Sequence, residues 1–290
     1  MIPMNSGREE PSQYNSGYLN ETTKRALRRA ILKAVCIPGF QVPIAGYEMP
    51  LPPGWGTGGM QVTSALIGQG DVLKVIDQGA DDSINATSIR KFFERVTDIR
   101  TTFRTSDATI IQSRHRIPEG QLTETQIVVL QVPVPEPMRY MEPSDAITRR
   151  QHAFRDYGML YVRLYEDKVS AGDAKSGTNH PVRVNGRYFA APSPIPTYDN
   201  PRLDGSPALI LFGAGRNRRI YAIPPYTKVE SLSFDDQPFS PSRPAGKCSL
   251  CGSDETYLDI VAGDDGERSF TCSDTSFCAD RREKTSGDRP

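Results

Sequence analysis

The chain has 290 residues, and its 35 basic and 35 acidic side chains cancel to a formal net charge of zero. That balance excludes a broadly basic nucleic-acid-binding face, and no run approaches the eighteen or so consecutive apolar residues of a membrane span. The opening MIPMNSGREEPSQYN lacks the charged-then-apolar order of a signal peptide, so the chain reads as cytoplasmic; in that reducing setting its five cysteines point to metal or redox chemistry rather than disulfides.

Residues 1–18 are polar and carry no pattern. From Asn20 the stretch NETTKRALRRAILKAV predicts a helix, with Asn20 as cap and Leu27, Ile31 and Val35 forming an apolar stripe with Ala30 and Ala34. Pro38-Gly39 ends it, and residues 40–60 read as a long loop holding GYEMPLPPGWGTGGM. Asp71–Ile76 is a short element, and residues 84–96 space Ile89, Phe92, Phe93 and Val96 as a helix does. IVVLQVPV (127–134) is β-branched and predicts a strand. Residues 145–157 predict a helix capped by Ser144, with Gly158 just past its end, and MLYVRLYE (159–166) alternates as a strand. VRVNGRYFA (182–190) reads as a hairpin turning at Asn185-Gly186, and residues 207–215 and 219–225 predict two more strands. Helices and strands interleave irregularly, so the expected class is α+β, a mixed sheet core with helices. Near residue 240 SPSRPAG reads as a linker. It divides a core at 1–240 from a cysteine-rich module at 241–290, whose tail is polar from about Ala279.

Four of the five cysteines fall in the pattern Cys248-x2-Cys251-x20-Cys272-x5-Cys278. Two cysteines so close place both sulfurs on one tight turn facing one metal centre, and a third returns after a hairpin-length insertion that turns at Gly263-Asp264-Asp265-Gly266. A structural zinc ribbon with four thiolates and an iron–sulfur cluster are both compatible with this spacing. Ribbons usually close on a second two-residue gap, whereas the last gap here is five, which leaves room for three ligands and one free thiol.

Other runs are weaker. Gly39 after Pro38 is ordinarily a helix stop, but a glycine Cα radical delocalises into both flanking amides and can store an unpaired electron. Cys36 beside it reads as a small buried hydrophobe. Gly54-Trp55-Gly56-Thr57-Gly58-Gly59 and Gly213-Ala214-Gly215-Arg216 permit close backbone approach, and neither is followed by the Lys-Ser/Thr of a phosphate loop. In Arg114-His115-Arg116 two guanidinium forks flank an imidazole, a pattern suited to phosphate or phosphonate oxygens or to an exposed polar turn. His152 and His180 read as structural or surface residues.

Taken together, long strings of the chain resemble the PhnJ family, the catalytic subunits of carbon–phosphorus lyase. They include Arg28–Val35 with Ile37-Pro38-Gly39, Gly54–Gly59, Asp71–Asp82, Arg114–Glu119, Val184–Tyr188, Pro192–Pro196, Leu211–Arg216 and the cysteine module with Cys272-Ser273-Asp274-Thr275. The resemblance spans roughly residues 18 to 280. It implies cleavage of ribose 1-methylphosphonate 5-phosphate to methane and a ribose 1,2-cyclic phosphate 5-phosphate. It also implies a 4Fe–4S cluster on Cys248, Cys251 and Cys272, S-adenosylmethionine as radical source, Gly39 as glycyl-radical site and Cys278 as thiyl-radical site. The core at 1–240 would then carry the glycyl site. Arg114, His115 and Arg116 are expected to hold phosphate or phosphonate charge, with His115 able to shuttle a proton. Partners implied are the other subunits of a core complex, including one of the ATP-binding-cassette type. Two rival readings are a non-catalytic zinc-ribbon scaffold subunit, and a metal-assisted phosphosugar hydrolase. The latter lacks clustered His and Asp ligands.

Overall fold

A computed structural model describes residues 19–44, 58–77, 80–114, 116–132, 142–175, 179–192, 195, 197–214, 219–232, 246–263 and 266–287. Its centre is a seven-stranded sheet built from β1 (Val42–Pro43), β2 (Val72–Ile76), β3 (Arg100–Thr101), β4 (Ile110–Ser113), β5 (Ile127–Val132), β8 (Leu209–Ala214) and β9 (Arg219–Ile223). Their order across the sheet is β1-β9-β8-β5-β4-β2-β3. The five strands from β8 to β3 are mutually parallel, and β9 and β1 close the far edge through antiparallel pairs. The class is α+β with a mixed sheet, as the residue pattern predicts.

Parallel strands must be covered on both faces, and β5 and β8 are accordingly buried along nearly their whole length. The period of two sorts their side chains. Leu73, Val75, Val129, Leu211 and Ile220 face a layer formed by α1 (Glu21–Cys36), α2 (Gly58–Leu66) and α3 (Ile84–Thr97). Ile76, Ile111, Val128, Leu130, Ile210 and Phe212 face the other way, onto Val182, Val184, Phe189 and Val229. Those four belong to a small antiparallel sheet in the order β10-β6-β7, made of β6 (Asn179–Val184), β7 (Arg187–Pro192) and β10 (Val229–Ser231). Its hairpin turns at Asn185 (φ 47°) and Gly186 (φ 73°), the two positive dihedrals that a two-residue Asn-Gly turn needs.

The helical expectations at α1 and α3 hold. Asn20 Oδ1 accepts from the Thr23 amide at 2.8 Å, and Ser83 caps α3 through the Ala86 amide. Five local expectations are corrected. Residues 159–166 are not a strand but lie in α5 (Gly158–Lys175), because Leu160 and Leu164, four apart, bury with Tyr157 and Leu232 while Met159 and Val162 stay exposed. The helical period therefore outweighs the local alternation. α4 (Asp145–Phe154) keeps its Ser144 cap but stops early at Arg155, which takes the left-handed conformation, and Gly158 opens α5 instead. Within the expected loop at 40–60, Val42–Pro43 pairs as β1 and α2 starts at Gly58, while residues 45–57 lie outside the described residues. Residues 279–287 of the expected polar tail belong to α6 (Thr275–Gly287). Cys36 is exposed rather than buried.

Gly59 and Gly213 have a packing reason. A Cβ on Gly59 would fall 2.6 Å from Gln131 Cβ, and one on Gly213 would fall 2.7 Å from the Gly58 carbonyl group. Glycine lets the start of α2 lie directly on β5 and β8. Gly54–Thr57 and Gly215–Arg218 lie outside the described residues. No helix among the described residues is long and apolar enough to cross a membrane.

Candidate metal centre

The carboxyl-terminal part folds as a two-stranded ribbon, β11 (Leu258–Ala262) paired with β12 (Arg268–Cys272), followed by α6. Cys248 and Cys251 sit on a tight turn before it. Gly252, at φ 70°, donates its amide to the Cys248 carbonyl at 2.8 Å, and Cys248 donates its own to Ser253 at 2.8 Å. Cys272 ends β12, and Cys278 lies in the first turn of α6, its amide bonded to the Asp274 carbonyl at 3.1 Å.

These elements bring all four sulfurs within 4.8 Å of one another, and all four cysteines are buried. The Cys251–Cys272 and Cys248–Cys278 sulfur pairs are 3.5 and 3.7 Å apart, and Thr256 Oγ1 lies 3.3 Å from the Cys272 sulfur. Burial would raise the Cys248 thiol, but the amides of Cys251, Leu250 and Cys272 outweigh it and bring it down to about 6. Burial and the neighbouring thiols push Cys278 up to about 12 and Cys272 well above its ordinary value. Of these three, Cys248 is the most readily ionised, and a bound cation would have to displace the protons of Cys272 and Cys278.

Sulfur spacing decides which group fits. A tetrahedral ion with metal–sulfur bonds of about 2.3 Å puts its thiolates about 3.8 Å apart. The distances found match that single-ion geometry. A 4Fe–4S cube places each thiolate on a different iron and needs wider spacing, so it does not fit the four sulfurs as they stand. Cys278 belongs to the convergent set rather than standing apart from it.

Gly39 is elsewhere. It is buried at φ 74°, donates its amide to the Ala222 carbonyl of β9 at 3.0 Å, and faces Val184 of β6. The cysteine module docks instead on the β2 side, through Lys74 and Asp81. Four strand spacings separate β9 from β2, about 19 Å. The chain does not bring Gly39 and Cys278 together.

The Arg114-His115-Arg116 run is only partly described, since His115 lies outside the described residues. Arg114, half-buried, pairs with Asp77 at 3.4 Å. Arg116 is not offered to an oxyanion. It is fully buried, with one terminal nitrogen 2.7 Å from Asp81 and the other 2.6 Å from Glu119. Burial opposes its charge, but those two carboxylates raise its pKa all the same. Glu119 Oε1 in turn accepts the Tyr257 amide at 3.1 Å, tying core to module. His152 is structural, with Nδ1 3.2 Å from the Tyr157 hydroxyl.

Sequence reasoning missed the buried ionic network that joins the module to the sheet: Lys74, Asp81, Arg116, Glu119 and Asp274. Lys74 lies 2.9 Å from Asp274 and 3.3 Å from Asp81. One visible signal existed, a lysine in the middle of the apolar strand Val72-Leu73-Lys74-Val75-Ile76. Such a residue must be paired to be buried.

Comparison with known proteins agrees with the resemblance seen in the sequence. The family model described as phosphonate metabolism protein PhnJ matches residues 12–284. The chain is 59% identical over 273 residues to the alpha-D-ribose 1-methylphosphonate 5-phosphate C-P lyase of Escherichia coli (strain K12), covering 94% of this chain and 97% of that protein. It is 57% identical over 270 residues to the protein of the same activity from Rhizobium meliloti (strain 1021), covering 93% and 91%. With the match running from the first helix through the four-cysteine centre, the chain belongs to the PhnJ family of phosphonate metabolism proteins.

Proposed function

We propose that this protein is a C–P lyase acting on α-D-ribose 1-methylphosphonate 5-phosphate, releasing methane and the ribose 1,2-cyclic phosphate 5-phosphate. One observation carries the substrate class: two relatives named for that reaction match it at 59% and 57% identity over more than nine-tenths of their length. The chemistry sets the remaining demand. A methylphosphonate has no leaving group that acid–base catalysis can expel, so a one-electron route is required, and a cofactor must supply it.

An iron–sulfur cluster with S-adenosylmethionine supplies such a start when bound. Cys248, Cys251 and Cys272 are the residues we assign to it. The four sulfurs stand at single-ion spacing, which that cube does not match. Gly39 as radical store requires a relay other than direct contact with Cys278 in one chain. Phosphate recognition falls to Arg114 and His115 rather than to Arg116. We place the protein in the cytoplasm, within a core complex that includes an ATP-binding-cassette-type subunit, with residues 241–290 as its cluster-bearing module.

A second reading, a zinc-bearing scaffold subunit without catalysis of its own, is favoured by the sulfur spacing alone. One experiment separates the two. Protein purified without oxygen and reconstituted with iron and sulfide is assayed with its sister subunits, S-adenosylmethionine and substrate, with methane as readout. Methane from the iron form and none from the zinc form supports the lyase. Equal methane from both, or from neither, removes the cluster-dependent reading.

A further inference from the structure

We propose that Lys74 of the central sheet is a positioning residue for the cysteine centre: it holds Asp274, the carboxylate that caps the helix carrying Cys278. The inference rests on the four cysteines being a metal site, and is independent of the reaction the protein catalyses.

Lys74 is the middle residue of β2, and its side chain is 1% exposed. A buried ammonium is costly unless each of its three protons is taken. Lys74 donates to the Phe103 carbonyl at 2.6 Å and to Asp274 Oδ2 at 2.9 Å, and Asp81 Oδ2 adds an ion-pair contact at 3.3 Å. Asp274 is 200 residues away in sequence and is divided between two tasks. While Oδ2 faces Lys74, Oδ1 accepts the Phe277 amide at 3.0 Å and the Ser276 hydroxyl at 2.9 Å. This is the geometry of a helix N-cap. The Asp274 backbone carbonyl takes the Cys278 amide at 3.1 Å. The same short segment is held twice more, by the Asp81 amide on the Ser273 carbonyl at 3.0 Å and by the Ser276 hydroxyl on the Phe103 carbonyl at 2.9 Å.

Everything between Cys272 and Cys278 is thus registered against β2 and the loops beside it, with Lys74 at the hub. The ribbon, with the turn before it that carries Cys248 and Cys251, sets three sulfurs. The lysine sets the helix that delivers the fourth. On the outer face Arg104 pairs with Asp280 at 3.0 Å, but that pair is half exposed and contributes little.

The test uses the full-length chain loaded with zinc. Lys74→Met alone leaves two buried carboxylates without their cation and can unfold the protein. The informative variant is therefore Lys74→Met combined with Asp274→Asn. It removes one charge of each sign, keeps a cap acceptor at position 274, and leaves Asp81 on Arg116 at 2.7 Å. Zinc release to a chelator and the order of cysteine alkylation, mapped by mass spectrometry, are the readouts. The expected result is release about tenfold or more faster than in the parent, the size typical of lost outer contacts to a metal site. Cys278 should be alkylated ahead of Cys248 and Cys251, with the circular dichroism of the parent retained. Three outcomes overturn the proposal: parent-like release and alkylation order, equal exposure of all four cysteines with collapse of the fold, or a parent chain that binds no zinc. A methane assay plays no part, so failure here and failure of the lyase reading are distinguishable.

Discussion

Gly39 and Cys278 are fastened to opposite flanks of the central sheet. Gly39 hangs on the Ala222 carbonyl of β9, and the helix bearing Cys278 is anchored through Asp274 to Lys74 of β2. Three strands lie between those two anchors, so an exchange of hydrogen between them inside one chain needs a carrier or a rearrangement.

Substitution of Gly39 tests a backbone effect before a chemical one. Its φ of 74° lies in the left-handed region, and an added Cβ would come 3.3 Å from Val184 Cβ. Gly39→Ala should therefore lower stability by about 1–2 kcal/mol, measured by urea unfolding. Parent-like stability would contradict this account of the turn. Any loss of activity in the variant must be read at a temperature where it is fully folded.

Removal of Cys278 separates the two kinds of centre. In zinc-loaded protein Cys278→Ala takes one of four converging sulfurs, and zinc affinity should fall about a hundredfold or more in chelator competition. In iron-reconstituted protein the visible cluster absorption should persist on three thiolates while methane is lost. Disappearance of that absorption would place Cys278 among the iron ligands.

Arg116 should behave as a structural cation. Arg116→Met leaves Asp81 and Glu119 buried without their shared partner, and the expected cost is about 3–5 kcal/mol in denaturant unfolding. A well-folded variant whose defect is confined to KM would restore Arg116 to substrate binding.

The pH dependence of stability should carry the signature of Glu119. Burial lifts its carboxyl to about 7 from an ordinary 4.5, against the pull of Arg116. Between those values the folded protein keeps a proton that the unfolded chain has released. The contribution is complete below about 4.5 and disappears as pH rises through about 7, a change on the order of 3 kcal/mol. Asp81 is raised by burial as well and acts in the same direction. Asp274 is lowered because Lys74 and the Phe277 amide outweigh burial, so its contribution is lost only as pH falls through the acid range. Unfolding between pH 5 and 8 should therefore show the parent losing stability as pH rises and Glu119→Gln flattening the trend. An unchanged slope in the variant would rule out Glu119 as the titrating group.

What is local, or carried in long matching strings, was readable from the residues alone. Capped helices at Asn20 and Ser83, the Asn185-Gly186 turn, the apolar strands β5 and β8, the cysteine spacing and the family were all legible, because each depends on neighbours in the chain. Where two periods competed, as in residues 159–166, only burial of Leu160 and Leu164 chose the helix. Tertiary structure alone decided the rest. It placed Gly39 and Cys278 on different flanks, drew Arg116 away from solvent into a carboxylate cage, and joined Lys74 to Asp274 across 200 residues. Sulfur spacing was likewise invisible in a cysteine pattern, since intervals along the chain do not say how closely thiols converge. The physical reason is common to all of these. A charge or a thiol acquires its role from what surrounds it after burial, and those surroundings come from distant parts of the chain.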